Sequence, residues 1–214
     1  MSPKNGEELP DWFSPVAQDA LRYCRPREGV WVDLGSGSGG LGLALSELSN
    51  SLIVLVDPNA EAVGEGLDEA RDRGLWPRVV GVIARAESIP LPDSSVDMVV
   101  SRGSIFFWDD PPAGLSEVYR VLRPGCRAMI GGGFGSSYPE WALKQFFRRR
   151  YEALEAEGEE AVCRWNHPRR PEWLAAQARE AGIGDFDIVG KSGLSAENPA
   201  AGIGRWLLFK KVTA

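Results

Sequence analysis

The sequence has little sulfur and almost no imidazole: its 214 residues include three cysteines, three methionines and one histidine. The thiols, Cys24, Cys126 and Cys163, are odd in number and scattered, which excludes a disulfide framework. With His167 the sole imidazole and no clustered thiols, no structural zinc or iron site is expected. Long hydrophobic runs are missing too, and none approaches the roughly 18 apolar residues of a membrane span. The opening "MSPKNGEELPDW" lacks an apolar signal-peptide core, which predicts a cytoplasmic protein with no membrane partner. Positive charge is also short: 24 Lys and Arg against 30 Asp and Glu give a net charge of −6. A nucleic-acid binder needs the opposite balance. The local exception is Arg148, Arg149 and Arg150, followed by Arg164, Arg169 and Arg170, for which a solvated basic face is the plainer reading.

What is present is a globular composition, 43% hydrophobic and 25% charged, enough for one domain spanning residues 1–214. Apolar runs alternate with helix-like segments, the mark of a parallel sheet wrapped by helices. Strands are expected at 30–34, 52–57, 78–84, 95–101, 126–132, 185–190 and 205–212. "LIVLVD" shows no alternation, so both its faces should be covered. "KSGLSAENPAAGIG", between the last two strands, has no helical pattern, and those strands should pair antiparallel. Crossover helices are expected at 40–48, 58–74, 109–125 and 172–182. Residues 1–29 read as an N-terminal helical cap and 139–170 as a helical insertion or lid. The expected class is α/β, Rossmann-like and doubly wound.

The first strand runs into glycines: "VWVDLGSGSGG". A strand, glycine turn and helix make a ready cofactor site, with amides and a helix N-terminus facing the ligand. The spacing is ambiguous. Gly35, Gly37 and Gly40 fit G-x-G-x-x-G, whereas Gly35, Gly37 and Gly39 fit G-x-G-x-G. Two carboxylates narrow the choice. Asp57 ends the second strand, where a carboxylate accepts from a ribose diol. Asp33, just before the first glycine, would repel a pyrophosphate and suits a cationic amino group. Either acid could instead cap the helix that follows it, a role worth about 1 kcal/mol. The Gly-Lys-Ser of "VGKSG", 189–193, has Asp185 where a phosphate loop needs glycine, and no helix follows.

"VDLGSGSGG", "LVDPN", "AESIPLPDSSVDMVVS" and "EVYRVLRPGCRAMIGG", in this order, resemble the class I S-adenosylmethionine-dependent methyltransferases, closest to the quinone-biosynthesis, methyltransferase-11 type branch. The resemblance covers residues 28–133. It implies a seven-stranded sheet with an antiparallel last strand and S-adenosylmethionine as cofactor, leaving S-adenosylhomocysteine. It also implies that Asp33, with Gly35, Ser36, Gly37 and Gly39 of the turn, holds the methionine moiety. Asp57 would bind the ribose, with Pro58 and Asn59 beside ribose and adenine. Ala86 and Glu87 would meet the adenine edge, and Ser101, just past strand four, would lie near the amino acid or methyl group. Relatives usually carry Asp before that Ala; here it is Arg85, which can only donate.

Methyl transfer from a sulfonium is an in-line displacement, so catalysis should come mainly from positioning. Acceptor-facing residues should follow strands four and five. Arg102 invites an anionic partner, and Ser104, Phe107, Trp108 and Asp109 follow it. Phe134 and Tyr138 come after strand five, and His167 in the insertion is a candidate general base. Arg102, Tyr138 and His167 are thus the catalytic candidates. The function expected is methylation of a small molecule, one carrying a carboxylate or phosphate on the evidence of Arg102. The alternatives are an NAD(P)-dependent oxidoreductase, against which no Tyr-x-x-x-Lys pair occurs, and a non-catalytic S-adenosylmethionine-binding regulatory protein.

Overall fold

The computed structural model describes residues 9–166, 170–190 and 204–213, with the backbone alone at 164–166. Its centre is a seven-stranded sheet in the order β3-β2-β1-β4-β5-β7-β6. The strands are β1 (Val30–Leu34), β2 (Leu52–Asp57), β3 (Val79–Ile83), β4 (Val96–Arg102), β5 (Leu122–Gly132), β6 (Phe186–Val189) and β7 (Arg205–Lys210). β7 runs antiparallel to both neighbours, and the remaining strands are parallel.

Both faces are covered, as the unbroken apolar runs require. One face carries α1 (Phe13–Cys24), α2 (Gly40–Glu47) and α3 (Ala60–Asp72), with Val16, Leu41, Leu45 and Ala70 meeting Trp31, Leu55 and Met98. The other carries α4 (Pro111–Val121), packed through Leu115 and Val118 against Val32, Val54 and Val99. Between β5 and β6 lie α5 (Glu140–Glu157), α6 (Glu159–Asn166) and α7 (Pro171–Glu180). α7 returns to the α4 face through Leu174 and Ala178. A third cluster joins α5 to the N-terminal segment: Phe134, Tyr138 and Phe147 pack with Leu9, Trp12 and Phe146.

Two boundaries differ from expectation. β4 continues through Arg102, which pairs with Gly131, so Ser101 lies inside the strand rather than past it. β5 begins at Leu122, because Leu122 pairs with Val96 before a register shift. Arg123-Pro124-Gly125, expected within the helix at 109–125, is the irregular start of a strand. The chain winds outward from β1 to β3 and then returns to β4 on the other side. That reversal opens a crevice beyond the carboxyl ends of β1 and β4.

Candidate functional site

A cleft of about 390 Å³ fills this crevice. Gly35, Gly37, Asp57 and Pro58 form one wall and Ala84 to Glu87 the base. Arg102, Ser104, Phe107 and Trp108 close the other side. Six of the expected cofactor residues therefore meet here, together with Arg102.

The glycine turn is tied to β2. The Gly35 and Ser36 amides both donate to the Val56 carbonyl, at 2.7 and 3.1 Å. Gly35, Gly37 and Gly39 all have positive φ, 68°, 53° and 80°. A Cβ on Gly37 would meet nothing within 4 Å, so this position opens into free space. Gly39 serves differently, as the N-cap of α2 packed on Leu55. Ser36 keeps its hydroxyl local, donating to the Gly37 carbonyl at 3.3 Å.

Asp57 accepts from the Gly37 amide at 2.8 Å and from the Asn59 amide at 2.9 Å, holding turn and strand tip together. It does not cap α3. Asn59 does, its Oδ1 accepting from Glu61 and Ala62, so the Asn59 side chain is committed to the helix. Asp33 is buried and accepts from the Gly42 amide at 2.8 Å, in the first turn of α2. Asp33 thus takes a first-turn amide of the helix, while lying outside the lining of the cleft. Burial pushes its pKa up to about 7, with the Asp57 charge adding to the rise; the Gly42 bond and the Arg102 charge oppose it.

The base of the cleft is charged at its rim. Arg85 pairs with Asp109 and lies 3.6 Å from Glu87 Oε2. Glu87 Oε1 accepts from the Asp110 amide at 3.1 Å, beside the Asp110 side chain that caps α4. Arg85 thus lines the cleft beside Ala86 with its guanidinium held by carboxylates.

Ser104, one of the acceptor-side candidates, proves central. Its Oγ donates to the Leu34 carbonyl at 3.0 Å, receives Trp108 Nε1 at 3.1 Å and lies 2.6 Å from Ser101 Oγ. Ser101 itself is fully buried and meets Ser104 of the cleft wall through this contact. Arg102 has its guanidinium over the rings of Trp12, Phe13 and Phe134 at 5.5, 5.2 and 5.6 Å, and Nε donates to the Gly133 carbonyl at 2.8 Å. Tyr138 does not line the cleft. Its hydroxyl donates to the Pro10 carbonyl at 3.0 Å, clasping the N-terminal segment. His167 and Arg169 lie outside the described residues, as does the stretch after Gly190.

Trp12 and Phe13, in the N-terminal helical cap, reach the site through the packing of α1 and their contact with Arg102. A Cβ on Gly40 would strike the Phe13 ring at 2.4 Å, so glycine there lets the helix settle over the turn. No helix among the described residues is long and apolar enough to cross a membrane.

Residues 32–130 match the family described as Methyltransferase domain. A 2-methyl-6-phytyl-1,4-hydroquinone methyltransferase of Oryza sativa is 32% identical over 140 residues, covering 64% of this chain and 38% of its own. A ubiquinone/menaquinone biosynthesis C-methyltransferase of Stenotrophomonas maltophilia is 36% identical over 113 residues, covering 52% and 44%. The matched stretches thus span less than half the length of these curated relatives. Over nearly its whole length it superposes on a Methanococcus maripaludis structure, described provisionally as an S-adenosyl-L-methionine-dependent methyltransferase. That match has a TM-score of 0.75 at 26% identity and covers 94% of this chain and 86% of the other.

Proposed function

We propose that this chain is a class I S-adenosylmethionine-dependent methyltransferase that transfers a methyl group to a small planar acceptor; the match of residues 32–130 to a methyltransferase domain and the likeness to the Methanococcus maripaludis structure support this. The observation that carries the reading is the meeting of the Gly35–Gly37 turn, Asp57 and the Ala86 loop around one cleft at the β1/β4 reversal.

The residues suit the cofactor. Open space over Gly37 admits a ligand against bare backbone. Asp57, held by two amides, keeps acceptor capacity for a ribose diol. Asp33 offers a carboxyl for the amino group of the tail, and Pro58 and Ala86 flank the adenine. When bound, the sulfonium supplies an activated methyl. The protein's part is to hold acceptor and methyl in line and to keep water out. The cleft's carboxylates, Asp57 and Glu87, are engaged with backbone amides, so positioning carries most of the rate.

Phe107 and Trp108, beside Ser104, put two aromatic rings into the wall of the cleft. Methylation of a hydroxylated aromatic ring, the chemistry in the names of the relatives, agrees with that wall. An anionic acceptor finds less support: Arg102, the cation it would need, stands on the Asp33 face of the sheet. Tyr138, whose hydroxyl holds Pro10, is not part of this reading, His167 lies outside the described residues, and nucleic acid is not expected as a partner.

Calorimetry with S-adenosylmethionine, S-adenosylhomocysteine and NAD tests the cofactor, and S-adenosylhomocysteine release across a hydroxylated-aromatic panel tests the reaction. Binding of the adenosyl compounds, weakened by Asp57→Ala, is the expected result. NAD binding alone would overturn the reading. Tight cofactor binding without turnover on any acceptor would instead favour a regulatory S-adenosylmethionine binder.

A further inference from the structure

Arg102 is a cation in apolar surroundings without a complete set of partners. Among the described residues its one hydrogen bond is Nε to the Gly133 carbonyl, which leaves Nη1 and Nη2 without an acceptor. Three aromatic rings cover its faces, and burial weakens its hold on the proton. A guanidinium so enclosed wants an oxygen anion in its own plane, for which its forked donors are shaped.

The sheet register fixes where that anion would lie. Side chains alternate along a strand, and Trp31 and Met98 both face α1 and α2. Asp33, two residues after Trp31, and Arg102, four after Met98, therefore share that face. Asp33 pairs with Val100, so Arg102 stands one strand across and two residues nearer the mouth. An acid and a base on adjacent strands, one step apart, match a zwitterion: an ammonium for the acid and a carboxylate for the base. Phe107 and Trp108 lie further on, past the turn at Gly103.

We infer that Arg102 is the carboxylate-binding residue of the cofactor site, its Nη groups taking the α-carboxylate of the amino-acid tail while Asp33 takes the ammonium. This rests on the methyltransferase reading and deepens it. It moves Arg102 from the acceptor to the cofactor, and it gives the aromatic residues of α1 a purpose. Trp12 and Phe13 wall the guanidinium from water, which strengthens the ion pair it forms.

The test compares two ligands that differ only in the carboxylate: S-adenosylhomocysteine and its decarboxylated analogue. Calorimetry on wild type, Arg102→Met and Arg102→Lys gives the affinities. Wild type should prefer the carboxylated ligand by about 10–100-fold, the range of a charge-assisted pair. Arg102→Met should lose that preference while binding the decarboxylated compound as wild type does, which also reports that the variant is folded. Arg102→Lys should regain part of it. Equal weakening of both ligands, loss of both, or no change on Arg102→Met would overturn the assignment. Wild type that binds neither ligand would bring down the methyltransferase reading itself, a result distinct from these.

Discussion

Gly35 and Ser104 compete for one volume: a Cβ on Gly35 would stand 2.1 Å from the Cβ of Ser104 and 2.2 Å from its Oγ. Ser104 cannot yield easily, because its Oγ ties together the Leu34 carbonyl and Trp108. The end of β1 and the segment after β4 are thus locked by a missing side chain. Gly37, two residues on, has the same left-handed backbone but empty space beyond. Gly35→Ala should therefore destabilise the fold by roughly 3 kcal/mol or more, whereas Gly37→Ala should cost about 1 kcal/mol. Gly37→Ala should still abolish S-adenosylhomocysteine binding, since its methyl enters the cleft. Thermal melts and calorimetry on the two variants check this, and equal loss of stability would contradict it.

Asp33 makes stability depend on pH in a defined direction. Its folded pKa of about 7 lies above the ordinary 3.8. Between these values the folded state keeps a proton the unfolded chain has released, so stability falls as pH rises through that window. Above pH 7 the buried charge is a full penalty of at most a few kcal/mol. Asp33→Asn, whose amide oxygen can still accept from Gly42, should be near neutral at pH 4 and raise the melting temperature of the ligand-free protein at pH 8. Facing this group are Asp57, which raises its pKa, and Arg102, which lowers it. An ammonium beside it favours the ionised form, so below pH 7 cofactor binding should release a proton and tighten as pH rises, levelling off above 7. Calorimetry in buffers of different ionisation enthalpy reads that proton directly.

Glu87 should prove structural. It lines the cleft, but one oxygen holds the Asp110 amide and the other faces Arg85. Glu87→Ala should lower stability by about 1 kcal/mol, the worth of a hydrogen bond at a helix start. The preference for S-adenosylhomocysteine over its inosine analogue, which lacks the adenine amino group, should be unchanged. A collapse of that preference would make Glu87 the acceptor that Arg85 displaced.

The strands were legible because each is an apolar run bounded by polar punctuation, and the glycine turn because its spacing is rare by chance. Leu122 was not legible as a strand residue: helix α4 and Arg123-Pro124-Gly125 set its local pattern, while pairing with Val96 decides its state. Asn59 outcompeted Asp57 for the α3 cap because a side chain already accepting from Gly37 at 2.8 Å is turned toward the cleft. The aromatic wall around Arg102 is assembled from α1 and the segment after β5, so only tertiary packing brings it together.

Arg120 illustrates how a residue outside the cleft governs the loop that forms its base. Its Nη1 and Nη2 donate to the Leu91 and Ile89 carbonyls at 2.9 and 2.8 Å, and Nε donates to Glu117 at 2.7 Å. Glu117 returns to the same loop, accepting from the Ile89 amide at 2.9 Å. The loop beginning at Ala84 is thereby fastened to α4 at two points on its far side. Arg120→Met should remove these carbonyl partners and cost roughly 2 kcal/mol of stability. The Ala86 segment would then have to be ordered by the ligand, so S-adenosylhomocysteine should bind several-fold more weakly, with a less favourable entropy. Arg120 touches no ligand, so unchanged affinity in a variant with a lowered melting temperature would show that the segment is held by Glu87 and Asp110 alone.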